Sequence, residues 1–175
     1  MRKILGALCA VAFVALAVPV PADDVKKAAD DVKDSSKAAP DKGIAVKGFV
    51  QNIESLTVWN TEFRRVLYTA KNCQLVLMAL KPQEEIGLEA HALDQFFRVE
   101  EGSGEAIVDG VRTKIQAGFA VLVPAGAKHN IVNTGSVPLK LYTLYAPPNH
   151  RDGVVHHTRA EAEADVEHFD GKTTE

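Results

Sequence analysis

The most informative segment of the chain reads Gly118-Phe-Ala-Val-Leu-Val-Pro124-Ala-Gly126-Ala-Lys-His129-Asn-Ile-Val-Asn133. Residues 119–123 are apolar, which predicts a strand. Pro124 and Gly126 supply the backbone angles of a tight turn. A second apolar run opens at His129, so the segment predicts a strand, a turn and a second strand that carries a histidine at its start.

Short strand-like runs continue this pattern on both sides of the segment, with Gly, Asn, Pro or Asp between them. They cover residues 63–69, 74–80, 95–101, 105–108, 111–115, 119–123, 130–133 and 139–145. Asp109-Gly110, between two of these runs, is a signal for a tight hairpin. About eight strands without a strong helical interruption predict an all-β fold with a single closed or sandwiched barrel over residues 48–157.

The chain departs from the strand pattern after Pro148. Thr158-Arg-Ala-Glu161 has the form of a capping box, and Gly171 provides a stop signal. We therefore expect a short C-terminal helix over residues 161–168, within a C-terminal helix and tail of residues 158–175.

Residues 1–22 have the composition of a secretory signal peptide. Arg2 and Lys3 precede an apolar run over residues 4–18, and cleavage is expected after Ala22. The apolar run is shorter than the roughly 20 residues of a membrane-spanning helix. We therefore expect a secreted or periplasmic protein with no stable membrane anchor once the signal has been cleaved.

Residues 23–47 are dominated by Asp, Lys, Ala and Ser, which predicts a disordered or partly helical linker. Loss of the signal removes two basic residues and changes the formal net charge from −3 to −5. This mild acidic excess argues against nucleic-acid binding, which needs a clustered basic face. Cys73 would be the only remaining cysteine, so no intramolecular disulfide is expected. We interpret Cys73 as a small, buried apolar residue.

The segment over residues 118–133 resembles the second of the two motifs that define cupins, G-x5-P-x-G-x2-H-x3-N, and it matches every fixed position. The resemblance implies a single cupin barrel, also described as a double-stranded β-helix or jelly roll. It also implies that His129 points into the barrel as a metal ligand.

The first cupin motif, G-x5-H-x-H-x3,4-E-x6-G, is matched only in part. His91 stands at the second histidine and Gly102 at the last glycine, whereas the first glycine, the first histidine and the glutamate are replaced by Gln83, Glu89 and Gln95. The resulting candidate ligands, Glu89, His91, Gln95 and His129, still contain one carboxylate, as the usual set of three histidines and one glutamate does.

Alternation supports this grouping. Residues 89, 91 and 95 have the same parity, and side chains of one parity point to the same face of an extended backbone. A turn over residues 92–94 would instead reset the phase and place Asp94 inward in place of Gln95.

Two imidazoles and one carboxylate on a rigid barrel suit a divalent ion with open coordination positions. We expect Mn, Fe, Zn or Ni, with the exchange of one nitrogen for oxygen favouring Mn(II) or Fe(II) and affinity alone favouring zinc. The alternative is that no metal binds, that the histidines are hydrogen-bonded core residues and that Glu89 is their ion-pair partner.

The resemblance extends to a group of small bacterial single-domain cupins described as mannose-6-phosphate isomerase-like. It is carried by Phe63-Arg-Arg-Val-Leu-Tyr68, Leu75-Val-Leu-Met78, Asp94-Gln-Phe-Phe-Arg-Val-Glu100 and Tyr145-Ala-Pro-Pro148. It implies a metal-dependent, isomerase-like protein that binds or acts on a small oxygen-rich molecule, either a sugar or an organic acid. A metal-dependent dioxygenase and a non-catalytic binding module are the alternatives.

Other charged and imidazole side chains have weaker interpretations. Arg64, Arg65 and Arg98 are candidate phosphate contacts, but we interpret them as solvated surface arginines. A cluster after the last strand, His150, His156 and His157, suggests either a second metal site or, as we prefer, a surface or subunit-contact role.

A single barrel has edge strands to protect, which favours a homodimer.

Overall fold

The computed structural model describes residues 48–175. The predicted signal peptide and linker, residues 1–22 and 23–47, lie outside the described part. Among the residues that are described, no helix combines the length and the apolar character needed to cross a membrane.

Nine strands and two short helices form the fold of residues 48–175. The strands are β1 (Arg64–Thr69), β2 (Gln74–Leu80), β3 (Asp94–Glu101), β4 (Ser103–Val108), β5 (Val111–Gln116), β6 (Ala120–Val123), β7 (His129–Val132), β8 (Leu139–Ala146) and β9 (Val155–His156). The helices are α1 (Ile53–Trp59) and α2 (Arg159–Ala164). A six-stranded sheet has the order β6-β3-β8-β2-β1-β9, and a three-stranded sheet has the order β5-β4-β7. All pairings between named strands are antiparallel, so the predicted all-β barrel is confirmed.

The interior changes from apolar to polar along the six-stranded sheet. At one end Met78, Leu141 and Val99 lie side by side and fully buried. At the other end the buried row becomes polar: Gln74 pairs with Tyr145, and Tyr145 pairs with Gln95. Because buried polar groups require partners, this polar end is where a ligand site is expected.

The approach of β4 to β7 depends on Gly104. A Cβ built there would lie 2.2 Å from the carbonyl oxygen of Val132, which no side chain tolerates. The bare backbone of Gly104 therefore lets β7 pair closely with β4, and β7 opens with His129.

The helices differ from the sequence-based expectation. Helix α1 was not predicted, since its β-branched and aromatic residues are common in strands. It is capped by Asn52, whose side chain accepts a hydrogen bond of 3.0 Å from the backbone N–H of Ser55. The capping box of the C-terminal helix is present, with the Thr158 hydroxyl accepting from the Glu161 N–H at 3.2 Å. That helix covers Arg159–Ala164 and not residues 161–168.

The expectation for the cysteine is wrong. Cys73 is exposed, because it lies in the turn that joins β1 to β2 and not within either strand.

Candidate metal centre

Three donor side chains converge at the polar end of the barrel. Donor atoms of Glu89, His91 and His129 all lie within 4.8 Å of one another. The Nε2 atom of His91 is 3.1 Å from Oε2 of Glu89, and Nε2 of His129 is 4.0 Å from the same oxygen. Within residues 48–175 this is the one group of three or more His, Cys, Asp or Glu side chains with such spacing.

Backbone hydrogen bonds hold the two motifs side by side. Glu89 and His129 form an isolated antiparallel bridge, in which each N–H donates to the other's carbonyl, at 2.9 and 2.8 Å. The turn of the second motif is held in the same way, because the N–H of Gly126 donates to the His91 carbonyl at 2.7 Å. Residues some forty positions apart therefore share one rigid local frame.

The imidazole of His129 is oriented for a ligand. It is 1% exposed, and its Nδ1 lies 3.2 Å from the carbonyl of Ala127. A carbonyl only accepts, so Nδ1 carries the proton and Nε2 carries the free lone pair. That Nε2 is buried and has no hydrogen-bond partner within the described residues. Burial lowers the pKa of His129 and keeps the ring neutral.

Glu89 supplies the negative charge of the cluster. Burial raises the pKa of this carboxyl, but the hydrogen bond from His91 and the nearby His91 and Arg64 charges lower it, and the net pKa lies below its usual value. The group is therefore a carboxylate at neutral pH. Two imidazole nitrogens and one anionic oxygen form a donor set suited to a divalent metal ion.

Gln95 faces inward, as the parity argument predicts, and is 1% exposed. Its Nε2 donates to Thr143 Oγ1 at 3.1 Å, whereas its Oε1 is buried without a partner in the described part of the chain. The alternative that Asp94 replaces it is wrong, since Asp94 is exposed and accepts a 2.9 Å hydrogen bond from the N–H of Ala125. That Gln95 is a fourth ligand remains a prediction.

The hypothesis of a metal-free core explains this geometry less well. A core histidine normally has both ring nitrogens satisfied, because an unpaired buried polar atom costs roughly 1–3 kcal/mol. His129 leaves one nitrogen without a partner among the described residues, and this nitrogen is directed at the side where Glu89 and His91 lie. The residues present therefore fit a metal ion.

A cavity of about 270 Å³ adjoins the cluster, and Glu89 and His91 form part of its wall. Arg64 also lines it and is only 8% exposed, so the interpretation of this residue as a surface arginine is wrong. Arg64 pairs with the buried Met78 across β1 and β2, while its neighbour Arg65 faces the opposite side and is exposed.

Two of the three C-terminal histidines are buried, which corrects the expected surface role. His150 is 5% exposed, and its Nδ1 lies 2.6 Å from Glu167. His156 is 4% exposed and lies 3.2 Å from Asp165. Sequence reasoning missed them because the carboxylate partners come from the tail that follows α2. His157 is exposed, as expected.

His150 and Glu167 belong to the wall of the same cavity. Burial lowers the pKa of His150, and the ring stacks edge-on against the buried Tyr145 at a centroid distance of 5.0 Å. Tyr145 in turn contacts His91 edge-on at 5.7 Å. The loop between β8 and β9 therefore contributes an imidazole close to the metal-donor cluster, and the tail contributes its carboxylate partner.

Comparison with known proteins identifies the family. The model of the cupin domain matches residues 76–145. The Bacillus subtilis protein YrkC is 47% identical over 132 residues, which cover 70% of this chain and 70% of YrkC. The chain belongs to the cupin family. This cupin is also similar to the crystal structure of the Bacillus halodurans protein BH2720, with 45% identity, a TM-score of 0.67 and coverage of 69% of this chain and 97% of that one.

A more distant likeness agrees on the architecture of this cupin. A Klebsiella pneumoniae protein with a double-stranded β-helix domain has a TM-score of 0.50 and 20% identity, and the match covers 58% of this chain and 91% of that one. At this identity the likeness concerns the fold alone.

Proposed function

We propose that this cupin binds one divalent metal ion through Glu89, His91 and His129, with Gln95 as a weak fourth ligand, and that it acts on a small oxygen-rich molecule in the adjoining cavity. The observation that carries the proposal is the unpartnered, buried Nε2 of His129, which lies 4.0 Å from the carboxylate of Glu89. No other described residue satisfies that nitrogen, and a metal ion would.

The donor set leaves the metal open among Mn, Fe, Zn and Ni. When bound, such an ion supplies Lewis acidity that polarises a carbonyl or hydroxyl oxygen of the ligand. The neutral Gln95 adds no charge to the centre, so Glu89 alone offsets part of the ion's charge.

The pair of His150 and Glu167 favours an enzyme over a passive binding module. Because the Nδ1–H of His150 donates to Glu167, its Nε2 is the basic nitrogen of the ring, and it lies 3.4 Å from the side-chain amide nitrogen of Asn149. A neutral imidazole in the cavity wall is able to accept a proton from a bound ligand. A base beside a polarised carbonyl is what an isomerase-like reaction requires, since that reaction moves a proton between neighbouring carbons.

We further propose export and self-association for this cupin. The basic and apolar composition of residues 1–22 supports secretion or a periplasmic location, and an N-terminus at Asp23 in the mature protein would verify it. Exposed apolar side chains at the sheet edges, Val111, Phe119 and Leu122, support a homodimer. No nucleic-acid partner is expected.

Isothermal titration of the chelator-treated full chain with Mn(II) and Zn(II) tests the metal proposal. We expect one ion per chain, and we expect His129→Ala to weaken binding by about 100-fold or more, since even changes to groups that only support a ligand cost roughly 10–100-fold. The control is His157→Ala, which removes an exposed imidazole outside the cluster and should leave the affinity unchanged. No binding by the wild type, or equal binding by His129→Ala, would reject the proposal.

A further inference from the structure

Arg64 is a buried cation whose donors are largely unused by the other residues of the described part of the chain. Its Nε is buried and has no hydrogen-bond partner within residues 48–175. Its Nη2 lies 3.8 Å from Oε1 of Glu89, which is longer than a hydrogen bond. A guanidinium carries five N–H donors in a planar fork, and buried examples normally pair with carboxylate, phosphate or backbone oxygens. Arg64 therefore presents spare donors at the wall of the cavity.

The carboxylate of Glu89 lies between this guanidinium and the imidazole of His91. Oε2 of Glu89 faces His91 at 3.1 Å, whereas Oε1 of the same residue faces Arg64 at 3.8 Å. A ligand that places one oxygen at the cluster can therefore reach Arg64 with a second oxygen a few atoms away in the same molecule. This arrangement favours a ligand with two oxygen-bearing groups on neighbouring carbons.

The charges around the cavity limit how negative that ligand is. The other arginine in the wall, Arg159, is already paired with Glu163 at 2.7 Å and with Glu85 at 3.3 Å. Glu167 is an additional anion, because burial raises its pKa but the hydrogen bonds from His150 and from the Arg151 N–H hold it below its usual value. A doubly charged phosphate would be repelled by these carboxylates, whereas a single carboxylate group matches the single spare cation.

We propose that Arg64 binds the carboxylate of a small, singly charged hydroxy or keto acid, whose hydroxyl or carbonyl oxygen lies at the cluster of Glu89, His91 and His129. The inference rests on the proposed function, because it names the ligand class of the same metal site. The cavity of about 270 Å³ suits such a ligand, since pockets for drug-sized molecules span roughly 300–1,000 Å³.

The test compares acids with a neutral analogue on the Mn(II)-loaded full chain. Lactate, glycerate and pyruvate are titrated calorimetrically beside lactamide, which keeps the skeleton of lactate but lacks the charge. We expect at least one of the acids, including lactate, to bind. Its affinity should exceed that of lactamide by about tenfold or more, which is the usual gain from a charged hydrogen bond. Arg64→Gln should abolish that advantage, and Arg64→Lys should reduce it because the planar fork is lost.

Matched controls separate this inference from the metal site itself. Arg65→Gln alters the neighbouring, exposed arginine and should leave lactate binding unchanged. Arg64→Gln should not weaken Mn(II) binding, since it removes a positive charge next to the cluster. A misfolded variant would lose its affinity for Mn(II) as well as for lactate, and circular dichroism identifies it. If Arg64→Gln is misfolded, Arg64→Lys and the wild-type preference for lactate over lactamide test the role of Arg64.

Each result has one meaning. If the wild type does not bind Mn(II), the proposed function is wrong. If Mn(II) binds but no acid exceeds lactamide, or Arg64→Gln binds lactate like the wild type, the metal site remains and the role of Arg64 is refuted. Tighter binding of inorganic phosphate than of any acid would refute the choice of a carboxylate ligand.

Discussion

The neutral imidazoles are the residues on which the site depends. His129 and His150 each have a proton on Nδ1 that is directed to an oxygen acceptor, which leaves Nε2 as a basic nitrogen. In both residues burial lowers the pKa and opposes protonation. The cost of protonating a buried histidine therefore couples the stability of this protein to pH.

Replacement of His150 by Gln should flatten the pH dependence of unfolding. The folded-state pKa of His150 lies below its ordinary value of 6.5. As pH falls below 6.5, the unfolded chain takes up a proton that the folded chain resists, so the free energy of unfolding declines until the folded-state pKa is passed. Urea denaturation between pH 8 and pH 5, with EDTA present, should show a shallower decline for His150→Gln than for the wild type.

His157 provides a control of opposite sign. Its hydrogen bond to Glu62 raises its pKa, so its stabilising effect is present at low pH and is lost as pH rises. His157→Gln should therefore leave the decline at low pH as steep as in the wild type or steeper. Identical pH profiles for the wild type and His150→Gln would contradict the account of His150.

The sequence predicts residues of the site well where alternation alone decides the outcome. Gln95 and Phe97 share a parity and both face the interior. Arg64 and His150 were misjudged because their burial depends on partners distant in the chain, Glu89 and Glu167. Their charged or polar character predicts a surface position until that partner is known.

At the level of elements, the site depends on how β7 lies against β4. This pairing places His129 at the start of a strand whose remaining residues are mostly buried. The strand positions follow the predicted runs because apolar residues are separated by turn residues. The existence of α1 and of the two-residue β9 could not be predicted, since both depend on packing against the barrel and not on a local pattern.

Gly104→Ala should destabilise the protein by more than about 2 kcal/mol, because the added Cβ would lie 2.2 Å from the Val132 carbonyl and force β4 and β7 apart. The comparison is Gly110→Ala, at a positive φ of 83° but with open space around the new Cβ. That variant should lose only about 1–2 kcal/mol from backbone strain. Chemical denaturation measures the free energy of unfolding of both variants. Equal losses of stability would show that the close approach of β4 and β7 does not forbid a side chain at position 104.

At the level of the whole molecule, the open edges of both sheets adjoin one apolar groove. Strand β6 ends the six-stranded sheet and β5 ends the three-stranded sheet. The groove of about 280 Å³ between them is lined mostly by apolar residues of β4, β5 and β6 and by Phe119. Leu122, Val111 and Phe119 line it with 72%, 68% and 43% of their surfaces exposed, and exposed apolar residues grouped in one patch mark an interaction surface.

We therefore expect a homodimer formed through this groove. Light scattering coupled to size-exclusion chromatography should give twice the chain mass for the wild type and a monomer for Leu122→Lys, because a buried lysine without a partner is costly. Leu88→Lys changes an equally exposed leucine outside the groove and should remain dimeric. A monomeric wild type would refute the expectation.

The central claim is that His91 and His129, from separate motifs, bind the same ion. X-ray absorption spectroscopy of the zinc-loaded full chain tests it most directly, since imidazole nitrogens at about 2.0–2.1 Å have a recognisable scattering pattern. We expect two imidazole ligands in the wild type and one in His129→Ala. An all-oxygen coordination sphere, or an imidazole count that His129→Ala leaves unchanged, would contradict it.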